Sequence, residues 1–500
     1  MFKTLSSKPT LFVLIHCLVW WAMTIIAKPS LDRYGDMVEV YAWSQHWLAG
    51  SSKHPQFLPW MAKIWFMVAP KSVASFYLLS AINLAVAMLG ILALGRALRL
   101  SDIQVLVALA LGALAFPYLT LADKLNMNAI CLSTWPWTAW AFVKATSERD
   151  GKRLLHAALF GLFAGLSMLS KYYSIVLILP LFAFTFLPSQ RWLWRTAAPW
   201  TAIVVFLAVT TPHLLWLLDH RDALAYASEQ GAGDDLGNAV YYIAKFVIAP
   251  LFYWPIPLVL AGLLLVSGSI ASRYAHLLQW PKDRPILGVL ALGPWLVTLF
   301  FAVVGLAELS TPWAIPIGFA FMLYITANAE PTRLEENGPK LIAAFRFIWP
   351  LMLVAGLAAA AIDGYKANAN YYKPDQEQAA AAIEHWQARH DIPLAWAASG
   401  NRAAMISFFS PMQIEALPAL PDALPSYYPP RENWKAEAGM VACPLHAPGE
   451  GDAECVHAAH AWASANGLQS EDATFTIKRS GLRFPREVPF ETAVVYVWPE

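Results

Sequence analysis

Leu31 to Trp60, LDRYGDMVEVYAWSQHWLAGSSKHPQFLPW, is the first polar stretch of the chain, and it follows an apolar run at Leu11–Ile26. Asp32, Asp36 and Glu39 recur at helical spacing, so a helix through them carries one acidic face. Like charges placed this way repel, and the face is either simply solvated or held charged for a purpose. The helix is expected over 36–49, ended at Gly50, and a second over 57–69, rich in Trp60, Trp65, Phe66 and Met67. Trp43, Trp47 and Trp60 suit a membrane interface, where an indole ring sits at headgroup depth, so both helices are expected to lie on the outer surface. Beyond Gly50, Lys53, His54 and Pro55 bring a cationic turn back to the same surface.

The composition around this stretch belongs to a membrane protein. Hydrophobic residues make up 58% of 500 and charged residues only 14%, so most apolar side chains must face lipid. A net charge of +1, with no basic stripe, gives no case for nucleic acid. Apolar windows near 10–27, 76–97, 103–122, 129–146, 155–170, 172–188, 196–218, 240–267, 286–306, 312–328 and 344–362 give about eleven spans. The first reads as an uncleaved span, since no small-residue cleavage pattern follows it. With the N-terminus cytoplasmic, every inner loop is basic: Arg96 and Arg99; Lys144, Arg149, Lys152 and Arg153; Arg191 and Arg195; Arg273, Lys282 and Arg284; Arg333, Lys340 and Arg346. Outer loops are acidic or mixed, with Asp123, Asp219, Asp222, Glu229, Asp234, Asp235 and Glu308.

These spans define a membrane domain over 1–362, its first outer loop at 28–75, followed by a polar domain over 363–500 on the outer side. The polar domain is expected to be a small α/β or α+β fold, with an amphipathic helix at Gln376–His390 and strands at 393–397, 404–409 and Thr492–Val497. Cys443 and Cys455 flank a turn containing Pro444, Pro448, Gly449 and Gly451, which suits a disulfide in an oxidising space, or two free thiols.

Further polar groups gather at outer span ends. LADKLNMNAICLSTWPW places Asp123, Lys124, Asn126 and Asn128 between two spans, where they line a wet cavity or make an ordinary hairpin. Lys171 in LSMLSKYYS either snorkels to the headgroups or clamps a phosphate. TTPHLLWLLDHRD adds His213, Asp219, His220 and Arg221, and ELSTPWAIP adds Glu308 and Trp313. Metal motifs such as HExxH and paired CxxC are absent, and His457 and His460 read as surface residues. The acidic first loop admits a divalent cation without specifying one. A Walker A loop and a dinucleotide fingerprint are also absent, which disfavours an ATP-driven pump.

In order along the chain, DMVEVYAWSQHWLAG, KHPQFLPW, GLSMLSKYY, PHLLW and TPWAIP resemble membrane glycosyltransferases of the GT-C superfamily, specifically glycosyltransferase family 39. That family includes protein O-mannosyltransferases and the aminoarabinose transferase acting on lipid A. The resemblance covers roughly residues 10–330. It implies an all-α polytopic GT-C-like membrane protein of the bacterial inner membrane, with a periplasmic C-terminal domain. It also implies a polyprenyl-phosphate-linked sugar donor and a lipid, glycan or protein acceptor, with membrane lipids around both.

On the matching positions, Asp36 corresponds to the catalytic aspartate and Glu39 to its acidic neighbour. Lys53 corresponds to the loop lysine and Lys171 to the lysine near the lipid phosphate. His54, Lys124, Asn126, Asn128, His220 and Arg221 are supporting candidates for donor-phosphate or substrate binding, while Asp32 returns to the solvated-face reading. Two departures stand out: Gln56 replaces the second proline of the lysine motif, and Asn126 and Asn128 stand where many relatives carry an aspartate. The expected activity is transfer with inversion, Asp36 serving as general base. The competing expectation is a non-enzymatic flippase or transporter of a lipid-linked or small solute, whose polar groups would gather nearer the bilayer midplane.

Overall fold

The computed structural model describes residues 8–32, 35–147, 151–224, 236–305, 311–366, 373–446, 449–479 and 488–500. Arg149, Glu229, Asp234, Asp235 and Glu308 lie outside the described residues. The chain forms two compact units: Met1–Trp21, Ser52–Phe57 and Ser80–Met352 make the first, and Ala22–Ser51, Leu58–Leu79 and Leu353–Glu500 the second.

Among the described residues, six helices are long and apolar enough to cross a membrane: Pro9–Ala27, Val73–Ala97, Arg153–Ser170, Ala198–Asp219, Pro285–Val303 and Pro331–Tyr365. A seventh is added if Val240–Tyr253 and Pro255–Leu264, bent by 55°, count as one span. The bend falls at Pro255, whose ring removes a backbone donor and clashes with the preceding turn.

Of the about eleven expected spans, six or seven among the described residues meet this test of length and composition, and the others fall short of it for local reasons. The window 103–122 is helical as Asp102–Gly112, opened by a Ser101–Gln104 capping box and too short to cross. Cys131–Ser147 has 17 residues, which at about 1.5 Å each rise about 25 Å against an apolar core of about 30 Å. Window 172–188 yields Tyr172–Phe184. In 312–328, Pro312 and Pro316 leave two 3₁₀ turns before the short helix Phe321–Ala327. A hydropathy window averages over such breaks, because apolarity and helical continuity are separate properties.

In the second unit the C-terminal segment builds a five-stranded mixed sheet from β1 (Leu394–Ala398), β2 (Glu415–Leu417), β3 (Ala438–Ala442), β4 (Gln469–Arg479) and β5 (Val488–Trp498), in the order β2-β1-β3-β5-β4. β1 pairs in parallel with β2 and β3, while β5 runs antiparallel to β3 and β4. The expected helix is Asp375–Gln387, and the expected strands at 393–397 and 492–497 overlap β1 and β5. The strand expected at 404–409 is instead the helix Asn401–Phe409, whose residues Ala403 to Phe408 are all buried. Continuous burial erases the alternation that separates strand from helix in a short apolar run.

Trp396 of β1 is fully buried opposite Gly439 of β3, and a Cβ at Gly439 would lie 2.1 Å from the indole. Only glycine leaves room for that ring. Cys443 and Cys455 are disulfide-bonded, their Cα atoms 5.9 Å apart, tying the end of β3 to the helix Ala453–Ala465. Leu48, from the first loop, belongs to the apolar core with Trp396, Leu417, Tyr428 and Val495.

Candidate functional site

The acidic candidates sit on a helix whose start is fixed by its own sequence. Gly35 takes φ +79°, a left-handed conformation that costs a side-chain-bearing residue, and a Cβ there would overlap the Asn401 side chain. This turn brings the Asp32 carboxylate over the helix end, where it accepts hydrogen bonds from the backbone N–H groups of Asp36 (3.1 Å) and Met37 (2.9 Å). Asp32 is 1% exposed, so the solvated-face reading is corrected: it is a buried cap that satisfies otherwise orphaned helix donors.

The helix runs Asp36–Ser44, shorter than the expected 36–49, with Asp36 and Glu39 half-buried in its first turn. Both carboxylates there also favour the helix dipole. The rest of the helix is buried through Met37, Val38, Val40, Tyr41 and Trp43. Tyr41 packs edge-on to Phe408, their rings 5.1 Å apart. Trp43 is thus a core residue and not an interfacial anchor, while Trp47 is 60% exposed. Trp60, on the helix Phe57–Val68, donates its indole N–H to the Leu48 carbonyl at 2.8 Å.

The cationic candidates Lys53, His54, Lys124, Lys171 and Arg221 belong to the first unit, as do Asn126, Asn128 and His220. Lys171 ends the helix Arg153–Ser170 with extended backbone, φ −161°. Its ammonium donates to Asn128 Oδ1 at 2.6 Å and lies 5.1 Å from the Trp313 ring centre and 5.7 Å from that of Tyr173. Tyr173 is itself held by Thr298, hydroxyl to hydroxyl at 2.6 Å. The amide oxygen and the two aromatic rings fix the position of the ammonium, each ring adding a cation–π contact.

Asn126 has a different part. Its Oδ1 accepts the backbone N–H groups of Asn128 and Ala129 (3.0 and 3.1 Å), an Asx turn that presents Asn128 to Lys171. Sequence alone had paired the two asparagines without separating these tasks.

Lys53 and His54 are half-buried, and Lys124 likewise. Gln56, at the position of the missing proline, is 1% exposed, and its Oε1 is buried without a hydrogen-bond donor among the described residues. His220 stacks on Trp216 at 4.5 Å and approaches the Trp216 carbonyl through Nδ1 at 2.9 Å, while Arg221 is exposed. His213 meets the Tyr172 hydroxyl at 2.7 Å. Among the described residues, the one grouping of three His, Cys, Asp or Glu ligand atoms close enough for an ion is Cys443, Asp452 and Cys455, where both sulfurs are already joined. His460 spends its ring nitrogens on Ser470 (2.8 Å) and Asp472 (3.0 Å).

The fold of this chain matches solved structures over nearly its whole length. The structure of ArnT from Cupriavidus metallidurans bound to undecaprenyl phosphate aligns with 97% of this chain and 97% of its own, at TM-score 0.60 and 13% identity. Its apo state aligns over the same shares, at TM-score 0.60 and 12% identity. The fold is GT-C-like. At the level of sequence, the family described as dolichyl-phosphate-mannose-protein mannosyltransferase matches residues 53–216, less than half of the chain. That segment includes Lys53, His54, Lys124, Asn126, Asn128 and Lys171, but not Asp36, Glu39, His220 or Arg221. A comparison with curated proteins finds no match.

Proposed function

We propose that the protein is a family 39-like glycosyltransferase that moves a sugar from a polyprenyl-phosphate donor to a lipid, glycan or protein hydroxyl on the outer face of a bacterial inner membrane. The observation that carries this reading is the fold, shared over 97% of both chains with a protein whose structure holds undecaprenyl phosphate. The alternation of basic inner and acidic outer loops supports an N-terminus inside and a C-terminal domain in the periplasm.

The chemistry asks little of the protein beyond placement. The acceptor oxygen attacks the anomeric carbon as the bond from that carbon to the phosphate oxygen breaks, inverting the configuration. Polyprenyl phosphate leaves as a weak base and needs positive charge, not a proton, to be stabilised. Lys171, with its amide and aromatic supports, is suited to hold that phosphate, with Lys53 as a second cation. Asp36 takes the proton of the acceptor hydroxyl, a role typically worth roughly 10²–10⁴-fold. Capping by Asp32 supports this assignment, because a base must be held where the proton will be. Glu39 shares the first turn and keeps the field there negative.

The test is transfer by the purified protein in nanodiscs, using a radiolabelled polyprenyl-phosphate sugar. Asp36→Asn should lower turnover by at least about 100-fold with unfolding temperature unchanged, and wild-type turnover would sink the mechanism. Lys171→Ala should weaken donor affinity by roughly tenfold, consistent with loss of one charge-assisted contact; unchanged affinity would leave Lys171 a structural lysine.

A further inference from the structure

A second group of cations lies within the second unit and uses none of the residues assigned above. It surrounds an open cavity of about 590 Å³ whose lining includes Tyr41, His46, Lys63, Lys71, Glu415 and Arg431. Lys63 donates to the Gln45 carbonyl at 2.8 Å and lies 5.5 Å from the Trp47 ring centre. Lys71 donates to the carbonyls of Ser407 (3.3 Å) and Ser410 (3.1 Å). Both ammonium groups are therefore held by neutral carbonyls.

Glu415, the only carboxylate among the described lining residues, is already engaged. It pairs with Arg431, meets His46 Nε2 at 2.7 Å and accepts the Tyr428 hydroxyl at 2.9 Å. Arg431 also pairs with Glu437 at 2.6 Å. The charges of Arg431 and Glu415 are thus matched, whereas those of Lys63 and Lys71 meet no carboxylate in the described contacts. Burial holds both lysines below the usual lysine range, a cost that an anion in the cavity would relieve.

The cavity edge indicates what kind of molecule carries that anion. Helix Phe57–Val68 leaves Met61, Ile64, Met67 and Val68 exposed, at 37%, 50%, 72% and 83%. Met61, Ile64 and Val68 follow helical spacing, and Met67 also lines the cavity, so an apolar stripe adjoins a cationic hollow. An inorganic anion would use only the hollow; an amphiphile would use both.

We propose that this cavity binds the phosphate of an anionic membrane lipid, held by Lys63 and Lys71, with its chains along the exposed face of Met61, Ile64 and Val68. This site does not depend on the transfer reaction proposed above, and its failure would leave that reaction standing.

The experiment measures lipid retention by the full-length protein, taken from nanodiscs of mixed phosphatidylglycerol and phosphatidylcholine into native mass spectrometry. Wild type should retain phosphatidylglycerol preferentially, and Lys63→Gln/Lys71→Gln should lose that preference by on the order of tenfold. Lys63→Arg/Lys71→Arg should keep it. Because Lys71 also supports the Ser407 and Ser410 carbonyls, Lys63→Gln alone is measured beside the double variant, with the unfolding temperature of each. The single change should weaken retention several-fold in a protein as stable as wild type. Equal retention in wild type and Lys63→Gln, or an arginine variant that fails to bind, would overturn the proposal. So would displacement of the lipid by millimolar inorganic phosphate, which would assign the hollow to a soluble anion.

Discussion

At Asp32 a carboxylate that looks like one member of an acidic row is in fact the cap of the helix the other two occupy. Its two oxygens satisfy two backbone donors at the start of that helix, and the left-handed turn at Gly35 lets the chain return to place them there. Replacing a capping carboxylate by alanine typically costs about 1–2 kcal/mol. Asp32→Ala should destabilise the protein by that amount and also reduce transfer, because Asp36 would no longer start an ordered turn. Asp32→Asn, which keeps an acceptor oxygen, should recover much of both. Paired measurement of unfolding temperature and turnover checks this, and full activity in Asp32→Ala would detach the cap from the chemistry. Spacing identified the carboxylates as a group; it could not distinguish acceptor from base, since the difference lies in which backbone N–H groups a side chain reaches.

Among the elements, those that the sequence misread share a cause. In Asn401–Phe409 the run Ala403 to Phe408 is buried without a break, so it lacks the exposed positions that reveal a period. The 3₁₀ turns at Thr311–Ala314 and Ile317–Ala320 interrupt a segment of uniform apolarity, and hydropathy passes over them. By contrast, the Asn126 turn depends on hydrogen bonds to the next two or three residues, whereas the Gly439–Trp396 contact needs two strands to pair. The disulfide closes a short loop, with Cys443 and Cys455 separated by 12 positions. In the chain-entropy account, closing a loop of that size contributes about 3 kcal/mol. Reduction, or Cys443→Ser/Cys455→Ser, should lower stability to denaturant accordingly, and an unchanged midpoint with dithiothreitol would show that the surrounding core suffices.

On the scale of the whole molecule, each compact unit holds a polar cluster assembled from distant stretches of sequence. In the first, Lys171 is supported by Asn128, Tyr173 and Trp313, drawn from three separate stretches of sequence. In the second, Glu415 joins the first loop, through His46, to the C-terminal sheet and Arg431. Burial acts to raise the Glu415 carboxyl, but hydrogen bonding from His46, the Arg431 charge and the Tyr428 hydroxyl outweigh it and hold it below the ordinary value of 4.5. A lowered folded pKa contributes stability that is complete above pH 4.5 and is lost as the pH falls through the lowered value. Stability of wild type should therefore fall with acid more steeply than that of Glu415→Gln, measured as urea midpoint against pH below 4.5. Parallel curves would mean that Glu415 is not a source of the acid sensitivity.

By itself, the sequence determined that this chain is a multi-pass membrane protein, ends in a polar domain that combines helix and strand, and carries Asp36, Glu39, Lys53 and Lys171 in the order that the family resemblance rests on. Those properties follow from composition, hydropathy and local spacing, which act over a few residues. Tertiary structure decided that Asp32 is a cap, that Trp43 is core, that Asn126 shapes the turn by which Asn128 holds Lys171, and that Lys63 and Lys71 line a common cavity with Glu415. The physical reason is that capping, burial and charge compensation depend on which groups approach within a few ångströms. Residues as distant in sequence as His46 and Glu415 meet only when the chain has folded.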